Sequence, residues 1–281
     1  MKEISLTQTA ARDIRGIIIE NVTIMENYRT VHVSIANLHR SATFASEVTS
    51  QALLGESVEI LDQKQGFCYI KQSDGYQDWI DKSQLSPYQE IPADHVLVRS
   101  HVANMYSAPN TKSLRVRDAT LGSKLVARFC QENWTQIELP DGAMAWIENH
   151  HLGFFPTLSR EHVIDLSFEL LGYPYIWGGR SPKGLDCSGF TQLVFFLLGK
   201  TIPRDAWMQR DAARLVGSDP ILAERGDFHF FSNNGDTITH VGISLGEGRM
   251  IHASGMIRLN SLRESDDDFC ASLLKTYVDS R

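Results

Sequence analysis

The sequence predicts an α+β domain preceded by two small all-β barrels. Three observations carry this reading. The first half repeats itself without a gap at an offset of 67 residues. Each copy is made of short alternating apolar runs broken by Asp-Gly turns, which is strand and hairpin grammar. From about residue 154 the pattern changes to two helical runs followed by three short apolar runs, the order of an α+β domain. The implied divisions are 1–90, 91–153 and 154–281, and 281 residues suffice for three such cores.

Residues 1–28 lie before the repeat. The start "MKEISLTQTAARDIRG" has acidic and polar residues where an export leader needs an apolar stretch, so a cytoplasmic location is expected. The following "IRGIIIENVTI" is apolar enough to pack on a barrel. Residues 31–85 then align with 98–152, sharing Ala36-Asn37 with Ala103-Asn104, Leu54-Gly55 with Leu121-Gly122, Asp74-Gly75 with Asp141-Gly142, and Trp79-Ile80 with Trp146-Ile147. Two copies of one module are the simplest account. The copies also differ. Glu47 stands opposite Leu114 and Tyr76 opposite Ala143. These differences mark either a site on the first copy alone or neutral drift between old duplicates.

In the third part, "SREHVIDLSFELLG" has helical apolar spacing, with Ser159 as N-cap and Gly172 as stop. A second helix covers the apolar run 190–198, closed by Gly199, and Cys187 falls in its first turn. There the unpaired amides and helix dipole favour a thiolate, which makes Cys187 a nucleophile candidate; the other reading is a small buried hydrophobe. "GDFHFFS", "THVGISLG" and "RMIHAS" read as antiparallel strands. Alternation sets His240 with Gly242 and Ser244, opposite Val241 and Ile243, and a three-residue Gly246-Glu247-Gly248 loop brings His252 diagonal to His240 on that face. A thiol at a helix start and two imidazoles on one sheet face form the constellation of a thiol hydrolase: nucleophile, base and orienting group.

Composition excludes other classes. A net charge of −7 leaves no basic stripe for nucleic acid, and no run nears the ~18 apolar residues of a membrane span. The four cysteines are widely spaced, without Cys-x-x-Cys pairing, and read as free thiols. His150-His151 lacks partners at ligand spacing and reads as a solvated turn, so no metal and no organic cofactor are expected.

"DCSGF", "RGDFHFF", "THVGI" and "IHAS", in this order, resemble the NlpC-type cysteine peptidases of peptidoglycan metabolism. The resemblance implies a papain-like fold with Cys187 as nucleophile, His240 as base and His252 as orienting group. It also implies that the Tyr175 hydroxyl lies near the active Cys, that Asp186 and Ser188 flank it in the substrate-binding set, and that the glycines of "WGGRSPKG" let substrate backbone approach. "LLGESVEIL…DGYQDWI" is similar to bacterial SH3-like domains, in both copies. The whole chain resembles γ-D-glutamyl-L-diamino-acid endopeptidases of muropeptide recycling. These read the free amine of an N-terminal L-Ala with a Glu, a Tyr and an Asp, matched here by Glu47, Tyr76 and Asp205. Two of the three coincide with the differences between the repeats, which selects a site over drift. Ala206 stands where relatives often carry Ser, removing a hydroxyl from the substrate carboxylate. Arg204 and Arg180 are replacements for it, or else solvated loop residues.

The expected function is therefore cleavage of the γ-D-Glu to diamino acid bond in small peptidoglycan-derived peptides, by a monomer, through an acyl-enzyme on Cys187. Two rivals remain: a silent wall-peptide binding or scaffold protein, and a thiol amidase or acyltransferase on another substrate.

Overall fold

The structure is a computed structural model that describes residues 27–281. The expectations placed on the leader region and on "IRGIIIENVTI" lie outside these residues. Strands β1 (Tyr28–Val31), β2 (Ile35–His39), β3 (Val48–Leu53), β4 (Ser57–Lys64), β5 (Phe67–Lys71), β6 (Gln77–Asp81) and β7 (Leu85–Pro87) form one antiparallel sheet. Strands β8 (Val96–Val98), β9 (Val102–Tyr106), β10 (Arg115–Thr120), β11 (Lys124–Gln131), β12 (Trp134–Glu138), β13 (Met144–Glu148) and β14 (Leu152–Gly153) form a second. The spatial orders, β3-β2-β6-β5-β4-β1-β7 and β10-β9-β13-β12-β11-β8-β14, are the same order shifted by seven strands. The gapless repeat is thus a repeat of topology. Neither recorded order closes on itself; β3 and β7, and β10 and β14, are sheet edges.

The third part contains α1 (Arg160–Glu169), a short hairpin of β15 (Arg180–Ser181) and β16 (Gly184–Leu185), α2 (Cys187–Leu197) and α3 (Ala206–Ala212). It continues through β17 (Phe228–Phe231), β18 (His240–Gly246), β19 (Arg249–Ser254), β20 (Met256–Ser261), α4 (Ala271–Thr276) and β21 (Tyr277–Ser280). Its sheet runs β20-β19-β18-β17-β21. Ser159 caps α1 by accepting from the His162 amide, and Gly172 and Gly199 take the left-handed conformation just past the two helices, at φ +85° and +79°. Strands β20 and β21 and helix α3 have no counterpart in the sequence reading. "MIRLNS" and "YVDS" are polar enough to look like loop, and only pairing with β19 and β17 makes them strands. Among the described residues, no helix is long and apolar enough to cross a membrane.

The repeated Leu-Gly pair explains how the parts dock. Leu54 of the first copy is buried in the core of the second sheet, and its equivalent Leu121 is buried in the core of the third part. Each burial stabilises its junction by about 1.5–3 kcal/mol. Polar contacts join the first sheet directly to the third part. Arg180 donates to the Glu56 carboxylate and the Gln51 carbonyl, and Gln192 Nε2 donates to Asp74.

Arg204 is the centre of this junction. It is 1 % exposed, pairs with Asp186 through two nitrogens at 2.6 and 3.1 Å, and donates to Ser188 Oγ and, across the junction, to Ser50 Oγ of β3. Arg204 and Arg180, readable from sequence as solvated loop residues, are both buried and ion-paired. Removing one member of a buried pair leaves the other uncompensated. Arg204→Met should therefore lower unfolding free energy by about 3–5 kcal/mol in urea titration. Adding Asp186→Asn, which keeps a good N-cap residue, should restore part of it. An unchanged urea midpoint in Arg204→Met would show that the pair does not hold the junction.

Candidate active site

Helix α2 begins at Cys187 because Asp186 caps it. Asp186 Oδ1 accepts from the Gly189 amide at 2.7 Å and Oδ2 accepts from the Gly178 amide at 3.0 Å, while both oxygens take Arg204. With its oxygens committed in this way, Asp186 acts as the residue that places Cys187. Ser188 is buried, and its Oγ accepts from Arg204.

Two glycines at this site have a packing role. Gly178 has φ +75°, and a Cβ there would lie 2.5 Å from the Val48 carbonyl of the first sheet; a Cβ on Gly189 would lie 2.1 Å from the Gly179 carbonyl. Glycine is required because backbone meets backbone at both places.

Helix α2 packs on β18, so the Cys187 sulfur lies against the amides of Val241 and Ser188. Burial pushes the thiol up to about 12, and the neighbouring Asp186 carboxylate adds to the rise; the two amides pull in the other direction. The expectation that the helix start makes a thiolate is thereby reversed: desolvation outweighs the dipole.

Strand register delivers the histidines. The β18–β19 turn contains two residues, Glu247 and Gly248, at φ +54° and +78°, not the three anticipated. A straight two-residue hairpin would put His252 on the opposite face from His240. A bulge between Ser244 and Gly246 restores the parity, so Ile243 faces Ile251 and His240 lies diagonal to His252. His240 Nε2 and His252 Nδ1 are 2.7 Å apart. Burial, followed by the neighbouring His252, pushes His240 down to about 3; burial likewise lowers His252.

Asn260, which the sequence reading passed over, extends this chain. Its Nδ2 donates to the Asp268 carbonyl at 3.2 Å, which turns Oδ1 toward His252 Nε2 at 3.0 Å. His252 must then carry its proton on Nε2 and accept on Nδ1. His240 donates from Nε2, and its Nδ1 is left with the lone pair that can take a thiol proton. The signal in the sequence was alternation: in "MIRLNS" Arg258 pairs with His252, and Asn260 lies two residues further on the same face.

A cavity of about 240 Å³ opens on Cys187. Its lining includes Tyr175, Ser188, Asp205 and Ala206 from the third part and Glu47 and Tyr76 from the first sheet. Glu47 Oε2 accepts from Arg40 Nε at 2.6 Å and Oε1 from Trp177 Nε1 at 2.8 Å, and these bonds hold its carboxyl below the usual range. Burial raises Tyr76, Tyr175 and Asp205, so both phenols stay protonated; Arg204 opposes the rise at Asp205. His240 and His252 are carried by β18 and β19, the strands on which the Cys187 helix packs, and neither lines this cavity. His150 and His151 lie in a turn of the second sheet, within 4.8 Å of the Glu148 carboxylate, with His151 Nδ1 bonded to Ser100 Oγ. All four cysteines are free.

The chain is similar to known proteins in sequence and fold. The NlpC/P60 family matches residues 172–269, and the bacterial dipeptidyl-peptidase Sh3 domain matches residues 38–85. The chain is 31% identical over 232 residues to a gamma-D-glutamyl-L-lysine dipeptidyl-peptidase of Bacillus cereus, covering 75% of this chain and 68% of that protein. It is 26% identical over 270 residues to dipeptidyl-peptidase 6 of Lysinibacillus sphaericus, covering 87% and 95%. The crystal structure of an NlpC/P60 family protein from Bacillus cereus superposes with a TM-score of 0.75 at 25% identity, covering 90% of this chain and 98% of that one.

Two outcomes follow from the geometry. With the thiol raised and the imidazole lowered, both are uncharged in the free protein, so alkylation of Cys187 by iodoacetamide should accelerate about tenfold per pH unit from pH 6 to 9. A plateau already below pH 7 would mean a preformed thiolate–imidazolium pair. Asn260→Leu should lower kcat about ten- to a hundredfold by freeing the His252 tautomer, while Asn260→Asp, which keeps an acceptor, should lose less. Equal losses in the two variants would reduce Asn260 to a packing residue.

Proposed function

The chain belongs to the NlpC/P60 family, and on that premise we propose that it is a cysteine endopeptidase that cuts the γ-D-Glu to diamino acid bond of peptidoglycan stem peptides bearing a free N-terminal L-Ala. One observation carries the reading. Glu47 and Tyr76, the residues by which the first repeat departs from the second, line the same 240 Å³ cavity as Cys187 and Asp205, although they lie more than a hundred positions away in sequence. A cavity of this size suits one or two residues of a peptide. In this reading both sheets are SH3-like modules, the second by its equal strand order, and residues 154–281 are a papain-like peptidase domain. The proposed substrates are peptides already released from the wall, and the proposed role is their recycling in the cytoplasm.

In the reaction, His240 Nδ1 takes the Cys187 proton as the sulfur attacks the γ-carbonyl carbon. Because the pair starts uncharged, negative charge develops only in the transition state, on sulfur and then on the carbonyl oxygen. The protonated Tyr175 hydroxyl is a donor for that charge. His252, held by Asn260, accepts from the ring that becomes cationic. The His240 proton then leaves with the diamino acid's amine, and water attacks the thioester by the reverse path. Asp205, raised by burial, and Glu47 face the L-Ala ammonium, with Tyr76 as hydrogen-bond partner.

The names of two relatives, 31% and 26% identical to this chain, point to dipeptidyl-peptidase chemistry, and the Bacillus cereus protein's name specifies L-lysine, so both lysine and diaminopimelate peptides belong in the assay. Tripeptides L-Ala-γ-D-Glu-diamino acid, free and N-acetylated, would be followed by mass spectrometry. Glu47 remains partnered by Arg40 and Trp177 when the ligand lacks a charge, so the loss falls mainly on Asp205. Free peptides should be preferred by about ten- to a hundredfold in kcat/KM. Equal cleavage of both forms, or cleavage that survives Cys187→Ser, would overturn the proposal.

A further inference from the structure

The loop joining β2 to β3 is present in both repeats, and comparing them isolates one ion pair. In the first copy the Arg40 amide donates to the Glu47 carbonyl at 3.0 Å; at the equivalent positions of the second copy the Ser107 amide donates to the Leu114 carbonyl at 2.8 Å. The next two turns of the loop match as well, with Ser46 bonded to Thr43 and Ser113 to Asn110. The loop therefore closes with the same backbone bonds without this ion pair. The Arg40–Glu47 pair, at 2.6 Å with side chains 63% and 39% exposed, is not needed to shape it. Both charges occur only in the copy that faces Cys187.

Arg40 lines the 240 Å³ cavity and also a neighbouring groove of about 990 Å³ on the first sheet, where Asp62 is an exposed carboxylate and Asp74 and Asp78 accept from Gln192 and Thr49. The other guanidinium at the cavity, Arg204, is committed to Asp186. Arg40 is thus a cation on an exposed tether at the rim of the subsite proposed for an ammonium, with an acidic groove beside it.

We propose that Arg40 is a tethered counter-ion that tunes affinity for the amine: a substrate ammonium binds Glu47 by exchange, displacing the Arg40 guanidinium toward the neighbouring groove. This deepens the function proposed above and rests on its assignment of the amine subsite. Exchange keeps Glu47 neutralised in the free protein, so a ligand gains only the difference between its own contact and that of Arg40. Ligands without a cation cannot make the exchange and leave Arg40 in place. Affinity for the free amine is given up, and in return the Glu47 carboxylate is paired both before and after the ligand binds.

The sign of one substitution decides the matter. Binding of the dipeptide L-Ala-γ-D-Glu to the full chain would be measured by calorimetry for wild type, Arg40→Gln, Glu47→Gln and the double variant, with the N-acetylated dipeptide as control. Arg40→Gln should tighten the free dipeptide about two- to fivefold, the range of an exposed ion pair, and leave the acetylated one unchanged. Glu47→Gln should weaken it, and the double variant should bind no tighter than Glu47→Gln. Arg40 as a support for Glu47 would give the opposite sign. Unchanged or weaker binding in Arg40→Gln, absent binding in every variant, or equal tightening of both dipeptides would overturn the exchange. Hydrolysis of the tripeptides is read separately, so a failed peptidase assignment shows there and a failed exchange shows in the dipeptide titrations.

Discussion

Everything at the site depends on the buried pair between Arg204 and Asp186. Asp186 caps α2 and so fixes where Cys187 sits; Arg204 fixes Asp186 and reaches across to Ser50 of the first sheet. A charge pair in so dry a place is expensive unless every donor and acceptor is used, and here Gly178, Gly189, Ser188 and Ser50 complete the set. Cys187 and the first sheet are therefore positioned by the same guanidinium, which is why a cavity wall supplied by the first sheet is held in register with the sulfur.

Burial governs the chemistry as well as the architecture. The helix start and the two amides at the sulfur would favour a thiolate, but desolvation and the Asp186 charge dominate, and the imidazoles behind are pushed to their neutral forms by the same dry surroundings. The Cys187 thiol and the His240 imidazole are both held toward their uncharged forms. The line from Asp268 through Asn260, His252 and His240 sets each tautomer by one hydrogen bond, so the basic nitrogen is chosen by a backbone carbonyl two strands away.

The two repeats show how duplicated modules take different roles. The same Leu-Gly position docks the first copy onto the second and the second onto the third part, so the array is assembled by one repeated contact. Only the first copy reaches the cavity through its β2–β3 loop and β6 turn, and only there do the loop residues become Arg40, Glu47 and Tyr76. The second copy keeps the loop's backbone bonds and carries Ser107, Leu114 and Ala143 in their places.

The sequence by itself determined the repeat and the helix whose first turn holds Cys187, because offset and apolar spacing are local rules; it set His240 and His252 on one face only by assuming a three-residue loop that the structure does not have. It also singled out Glu47 and Tyr76 by contrast with Leu114 and Ala143. Only the tertiary structure decided that Arg204 and Arg180 are buried anchors, that Gly178 and Gly189 answer to carbonyls of other segments, and that a bulge near Leu245 rather than a longer loop preserves the histidine register. It alone brought in Asn260 and Arg40. The physical reason is common to all of these: desolvation, close backbone approach and ion pairing are set by what packs against a residue from elsewhere in the chain, and a linear pattern does not contain that distance.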